Sequence, residues 1–138
     1  MRLAYGIAVF IGATALGMTS HASWAQQTVK ATLLSNSIQL DTHNVKTGRV
    51  TIEVRNAADN NMEHELVLLK TDLSDGALPV SKGTVPEHKL SKVGEVEDIG
   101  PGRSRHVSFK LAPGHYVLIC NKPGHYSAGM HTELAVTP

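Results

Sequence analysis

Three side chains that can bind a transition metal lie close together near the C-terminus of this sequence. They are Cys120, His125 and Met130, with the spacing C-x4-H-x4-M, in the segment APGHYVLICNKPGHYSAGMH (residues 112–131). A thiol, an imidazole and a thioether are soft or borderline metal ligands. The loop between the first and the last of them contains a proline and two glycines, which allow the chain to fold back on itself. The segment therefore predicts a site for one metal ion.

The mononuclear copper site of electron-transfer proteins combines two His and one Cys in a plane with a weak axial Met. The C-terminal segment supplies only one of these histidines. His64 is the candidate for the other, because it opens an apolar run, EHELVLLK, after a stretch rich in turn residues. In a β-sandwich, the start of one strand and the end of its antiparallel neighbour lie at the same end. The predicted copper ligands are therefore His64, Cys120, His125 and Met130.

Each of these residues also has a simpler interpretation. A free cysteine is commonly a buried apolar residue, a lone histidine is commonly a turn residue, and a methionine is commonly part of a core. A nucleophilic Cys–His pair would need a third group to orient the histidine, and no Asn or Asp is evidently placed to do so. Zinc fits the ligand types, but zinc sites seldom include a thioether. We therefore expect a metal-binding protein that is not an enzyme.

The tetrapeptide PGHY occurs twice, at residues 113–116 and 123–126. In the first copy the Pro-Gly turn opens a strand, and His115 falls on the face opposite to Cys120. The two are about 16 Å apart along an extended strand, too far to share a metal. In the second copy the same turn directs His125 back towards Cys120. Four other histidines are expected to lie outside the site: His43, His88, His106 and His131.

The elements that must position these residues are short strands. Residues 48–56 (GRVTIEVRN) alternate, with Val50, Ile52 and Val54 on one face. Similar runs at 27–34, 37–40, 63–70, 94–100, 105–111 and 115–120 are separated by Gly, Pro and Asn turns. This pattern predicts an all-β fold, a two-sheet antiparallel Greek-key β-sandwich of seven or eight strands. Residues 71–94 lack periodicity and predict a long excursion with a short helical turn near 87–92.

The N-terminus has the features of a secretory signal peptide. Residues 1–25 combine Arg2, an apolar run and a small-residue end, which predicts cleavage after Ala25 or Ala22. The alternative is an uncleaved anchor, although the run is short for a span of about 20 residues. Residues 26–138 would then be one exported, periplasmic domain. It has as many basic (Lys and Arg) as acidic residues, which gives no argument for nucleic-acid binding.

The segment GHYVLICNKPGHYSAGM resembles the C-terminal copper loop of the cupredoxins, or blue copper proteins. The resemblance covers the PGxY turn, the strand leading into Cys120, the second PGH and the closing Gly-Met. The spacing is most similar to that of rusticyanin-like members, and small periplasmic cupredoxins of copper tolerance are also similar. The resemblance implies a single cupredoxin-like domain with one copper that cycles between Cu(I) and Cu(II).

The resemblance also implies a function. It indicates a one-electron carrier without a small-molecule substrate, which acts as a monomer and docks a redox partner protein through an apolar patch around His125. The alternative is a copper tolerance or handling protein that binds, buffers or delivers periplasmic copper through the same ligands. Glu65 follows His64 where familiar members often have an Asn that helps to hold the ligand loop.

Overall fold

The computed structural model describes residues 26–138, which form two β-sheets packed face to face. The predicted signal peptide lies outside the described residues. Within residues 26–138, no helix is long and apolar enough to cross a membrane. The strands of this part are β1 Gln27–Leu33, β2 Ile38–Leu40, β3 Asn44–Lys46, β4 Gly48–Asn56, β5 His64–Lys70, β6 Ser91–Ile99, β7 Ser104–Leu111, β8 Gly114–Ile119 and β9 His131–Thr137.

The strands are arranged in the order β2-β1-β4-β7 in the first sheet and β3-β9-β8-β5-β6 in the second. The predicted two-sheet sandwich is thus confirmed, with nine strands in the described residues. Two strands were not among the predicted runs, β3 and β9. In β3 only Val45 is buried, and the strand is too short for alternation to reveal. Two pairs, β1–β4 and β3–β9, are parallel. The sheets are therefore mixed where the sequence predicted antiparallel pairing throughout.

The main core lies between the two sheets. The alternation predicted for β4 is confirmed, because Val50, Ile52 and Val54 are all fully buried in it. In β8, Tyr116 and Leu118 belong to this same cluster together with Cys120. The core is built chiefly from Val, Leu and Ile, as expected for a chain with 4% aromatic residues.

A second apolar cluster covers the outer face of the second sheet. β5 is buried on both sides, and Val67 and Leu69 on its outer face contact Leu78 and Val85. A strand buried on both faces has a continuous apolar run, which explains the sequence HELVLLK. Leu78 and Val85 belong to the connection between β5 and β6, residues 71–90, which we call the 71–90 segment.

The 71–90 segment is shorter and more ordered than the sequence predicted. It contains two 3-10 turns, Asp75–Ala77 and Glu87–Lys89, the second at the predicted position. β6 begins at Ser91, ahead of the expected start near Gly94. The segment packs along the sheet and does not extend away from it, because its apolar side chains seal the outer face.

Candidate metal centre

Two neighbouring strands bring His64 and Cys120 to one end of the sandwich. His64 is the first residue of β5, and Cys120 directly follows the last residue of β8. The strands are antiparallel, with Val67 opposite Ile119, so the start of one strand lies beside the end of the other. The start of β5 and the end of β8 therefore lie together, which was the reason for predicting His64 as a ligand.

The chain after Cys120 folds into a closed loop that ends at Met130. The Cys120 amide donates to the Met130 carbonyl at 3.1 Å, and the Met130 amide donates to the His125 carbonyl at 3.1 Å. Gly124 and Gly129 have φ values of 82° and 114°, conformations that favour glycine. We call residues 120–130 the ligand loop, since it carries three of the four predicted ligands.

Three ligand atoms converge in a small triangle. The Nδ1 atoms of His64 and His125 are 3.2 Å apart, and Cys120 Sγ lies 3.7 Å and 3.3 Å from them respectively. The point equidistant from the three atoms is about 2.0 Å from each, close to the metal–ligand distances of about 2.0–2.3 Å in protein sites. The donor set and its spacing therefore fit a copper ion.

Met130 lies in the same buried cluster as Cys120. Met130, Cys120 and His64 are all fully buried, whereas His125 is half-buried. The site therefore lies inside the main core at its end, with one imidazole extending towards the solvent.

Burial determines the protonation of the two histidines. It lowers the pKa of His64, and the nearby His125 and Lys122 lower it further. Burial also lowers the pKa of His125, and the charge of Lys122 adds to the effect. Both imidazoles are thus favoured in the neutral form that binds a metal.

The thiol of Cys120 is subject to opposing effects. Burial raises its pKa, while the backbone amides of Glu65 and Lys122 lower it. The Glu65 amide donates to Cys120 Sγ at 3.5 Å, which favours the thiolate. A metal ion provides the larger driving force, because it displaces the thiol proton on binding.

Glu65 contributes to the site through its backbone, and its side chain is half-buried. Burial raises the pKa of this carboxyl, Lys122 lowers it, and neighbouring glutamates raise it again. Lys122 also forms two ion pairs, with its ammonium 3.0 Å from Glu63 and 3.4 Å from Asp98. This ion-pair cluster connects the ligand loop to Glu63, which directly precedes β5, and to Asp98 in β6.

The other five histidines of residues 26–138 lie outside the site, as predicted. His43 Nδ1 is 2.8 Å from the Glu133 carbonyl, and His131 Nδ1 is 2.7 Å from Asp75. His115 Nδ1 is 2.6 Å from the Thr71 carbonyl, on the outer side of the second sheet. His88 and His106 are exposed.

One buried side-chain amide near the site, that of Asn56, was not predicted from the sequence. Asn56 is fully buried, and its Nδ2 donates to the carbonyls of Met62 and Ile99, both at 2.8 Å. Its Oδ1 accepts from the Ala58 amide at 3.0 Å. These bonds hold the loop that leads into His64. The alternation of β4 could have predicted this burial, because Asn56 continues the series of buried positions 50, 52 and 54.

The rim around His125 is formed by small and apolar residues. Pro123, Gly124 and Ala128 are exposed, and Met62 is 45% exposed. Tyr126, in the same loop, is only 4% exposed and lies in the outer cluster. It therefore contributes little to the surface beside His125.

Comparisons with known proteins agree with this geometry. A family described as copper binding proteins, plastocyanin/azurin family, matches residues 27–137. Auracyanin-B of Chloroflexus aurantiacus is 51% identical over 41 residues, which are 29% of this chain and only 17% of that protein.

Solved structures have the same fold. An auracyanin from Roseiflexus castenholzii is 24% identical with a TM-score of 0.60, over 81% of this chain and 98% of that one. Rusticyanin from Thiobacillus ferrooxidans is 16% identical with a TM-score of 0.59, over 81% and 77%. Because the family match covers most of its length, this chain belongs to the plastocyanin/azurin family of cupredoxins, which carry electrons and are not enzymes, and its cofactor is copper.

Proposed function

We propose that this protein is a one-electron carrier whose single copper is held by Nδ1 of His64 and His125, Sγ of Cys120 and the thioether of Met130. The observation that carries the proposal is the triangle of three ligand atoms, 3.2 to 3.7 Å apart, with Met130 buried in the same cluster as Cys120. When bound there, copper supplies a couple between Cu(I) and Cu(II).

Each residue has a separate task. Cys120 provides the thiolate, which the Glu65 amide stabilises. The neutral imidazoles complete a plane that suits both oxidation states, and the Met130 thioether favours the lower charge. Because the ligands lie at strand ends and in a closed loop, little reorganisation accompanies electron transfer.

The electron leaves through His125. Of the three ligands in the triangle it is the one that is half-buried. The rim that we assign to it consists of the exposed loop residues Pro123, Gly124 and Ala128 together with Met62, two residues before His64. We propose that a redox partner protein docks on this rim and that the carrier acts as a monomer. Contacts of this kind are small and short-lived, which suits rapid turnover.

We also propose that the protein works in the periplasm, to which residues 1–25 direct it as a cleaved signal peptide. N-terminal sequencing of the protein from a periplasmic extract tests this. A mature N-terminus near residue 26 is the expected result, and an intact residue 1 in a membrane fraction would instead indicate an anchor.

Copper handling is the second candidate function. Its support is Met62, which lies two residues before His64 and is 45% exposed, so that its thioether could pass Cu(I) to a chelator or partner. Electron transfer predicts a reversible couple with slow loss of Cu(I). Handling predicts rapid Cu(I) transfer and a copper-sensitive deletion strain.

The deciding experiment is the absorption spectrum of the protein with Cu(II). We expect an intense thiolate-to-copper charge-transfer band in the visible range, which Cys120→Ala abolishes and His64→Ala abolishes or grossly alters. His115→Ala is the matched control, because His115 lies on the outer side of the sheet, and it should leave the band unchanged. A colourless wild-type protein that binds copper no better than Cys120→Ala would refute the proposal.

A further inference from the structure

The residues next to the three predicted ligands of the ligand loop are bonded to the 71–90 segment. Asn121 follows Cys120, Gly124 and Tyr126 flank His125, and His131 follows Met130. Each of these four neighbours forms a hydrogen bond or ion pair to the segment. The arrangement connects the copper site to a part of the chain that supplies none of its ligands.

The bonds of Asn121 are the most extensive. Its Oδ1 accepts from the Val85 amide at 2.7 Å. Its Nδ2 donates to the Val85 carbonyl at 2.9 Å and to Glu87 Oε1 at 2.7 Å. Asn121 is 8% exposed, so these groups have little access to water, and loss of the amide would leave the Val85 amide without a partner.

The residues before and after His125 both form hydrogen bonds to the 71–90 segment. The Gly124 amide donates to the Gly83 carbonyl at 2.9 Å. The Tyr126 hydroxyl accepts from the Leu78 amide at 2.9 Å and donates to the Asp75 carbonyl at 2.7 Å. These three bonds determine where the backbone of His125 lies relative to the second sheet.

The last bond holds the end of the loop. His131 Nδ1 lies 2.7 Å from Asp75 Oδ2, and its ring packs against Tyr126 with a centroid distance of 5.1 Å. Met130 itself lies in the main core. The loop is thus held on two sides, with ligands directed inwards and their neighbours directed outwards.

We propose that the 71–90 segment positions the ligand loop in its metal-binding geometry before copper binds, with Asn121 and Tyr126 as the positioning residues. The inference rests on the ligand set of the proposed function. A purely structural role would be different, because the apolar contacts of Leu78 and Val85 with the sheet already anchor the segment. Those contacts require no bond to the loop.

A matched pair of tyrosines tests the proposal. Tyr126→Phe removes the hydroxyl bonded to the 71–90 segment. Tyr116→Phe, the control, removes a buried hydroxyl that donates to the Ala112 carbonyl at 2.8 Å, near the opposite end of β8. In both cases one hydroxyl is lost and an aromatic ring is kept.

The first measurement is amide hydrogen exchange of the metal-free protein at His125 and Met130. In the wild type we expect protection at both amides. Tyr126→Phe should speed this exchange about fivefold or more, since one net hydrogen bond corresponds to about that factor. Tyr116→Phe should leave the exchange at these two amides unchanged. Fast exchange of both amides in the wild type would overturn the proposal.

The second measurement is the visible and EPR spectrum with Cu(II). Tyr126→Phe should shift the charge-transfer bands or the copper hyperfine splitting, and Tyr116→Phe should not. Identical exchange or identical spectra for the two variants would show that the bonds only stabilise the segment, and would overturn the proposal.

A milder variant covers the case in which Tyr126→Phe does not fold. Asp75→Ala removes the partner of His131 from a partly exposed position, and should speed exchange at Met130 and alter the same spectra. Unchanged exchange and spectra in that folded variant would overturn the proposal. Absence of a copper band in the wild type would refute the proposed function, while the metal-free exchange would still test the positioning role.

Discussion

Gly129→Ala is the substitution for which the structure gives the sharpest prediction. A Cβ at this position would lie 2.6 Å from the backbone carbonyl oxygen of Asn36, and the φ value is 114°. Because the contact is with backbone, it cannot be relieved by rotation of a side chain. Either the turn at Asn36 or the ligand loop must move.

The magnitude can be separated into two contributions. Placing a residue with a Cβ at positive φ costs about 1–2 kcal/mol. Overpacking a tight contact costs about 1–3 kcal/mol more. We therefore expect Gly129→Ala to lower the free energy of unfolding by about 2–5 kcal/mol. At about 4 °C per kcal/mol for a domain of this size, the melting temperature should fall by about 8–20 °C.

Two other glycines provide matched controls. Gly124 in the ligand loop and Gly102 in the β6–β7 turn have φ values of 82° and 70°, and a Cβ at either would meet nothing within 4 Å. Gly124→Ala and Gly102→Ala should therefore incur only the conformational cost of about 1–2 kcal/mol.

The assay is urea unfolding of the metal-free variants followed by circular dichroism, so that copper affinity does not enter the free energy. The difference between Gly129→Ala and the two controls measures the Asn36 contact. If Gly129→Ala is no less stable than Gly124→Ala, the contact is not tight and the reasoning is wrong.

Two further predictions concern packing and pH. Gly94→Ala would place a methyl group against the Phe109 ring and should lower the free energy of unfolding by about 1–3 kcal/mol, measurable in the same assay. Burial by itself raises the pKa of Glu87, but hydrogen bonds from Lys92 and Asn121 outweigh it and lower the pKa overall. The ionised form therefore stabilises the fold above the pKa of an unfolded glutamate, about 4.3, and this contribution is lost as pH falls through the lower folded value. Glu87→Gln should remove that acid-dependent loss, seen as a smaller drop in urea midpoint between pH 7 and pH 3.

The sequence predicted the parts of the fold that follow from alternation. Residues 48–56 coincide with β4 because one face of that strand is fully buried and the other is polar. His64 was predicted by the same reasoning. The first residue of β5 lies at the end of the sheet where the antiparallel β8 ends, and Cys120 directly follows β8. Alternation and the position of a residue within its strand are local patterns. They are sufficient to place two residues together when their strands are neighbours in the sheet.

Other parts depend on contacts that no local pattern encodes. The parallel pairing of β1 with β4 joins residues more than 20 positions apart, and alternation is the same for either direction. The 71–90 segment lacks periodicity because it packs through isolated residues such as Leu78 and Val85. The role of Asn121 becomes visible only when the carbonyl and amide of Val85 are placed beside it.

The two PGHY copies show why identical letters do not have identical roles. In β8, Tyr116 belongs to the main core, while His115 on the other side bonds to Thr71. In the ligand loop the sides are reversed, because Tyr126 enters the outer cluster and His125 points towards Cys120.

In the extended chain of β8 adjacent residues point to opposite sides, so His115 and Tyr116 face different sides of the second sheet. His125 and Tyr126 lie in a turn instead. Which residue faces the main core depends on the preceding backbone. Gly114, with a φ of 152°, is the first residue of β8, whereas Gly124, with a φ of 82°, turns the chain after the strand has ended. Because the turn at Gly124 reverses the orientation of the His-Tyr pair, the imidazole of His125 faces the proposed metal and the phenol of Tyr126 faces the 71–90 segment. Tyr126 therefore holds the turn from the side opposite to the metal ligands, and its hydroxyl is one of the groups that we propose position His125.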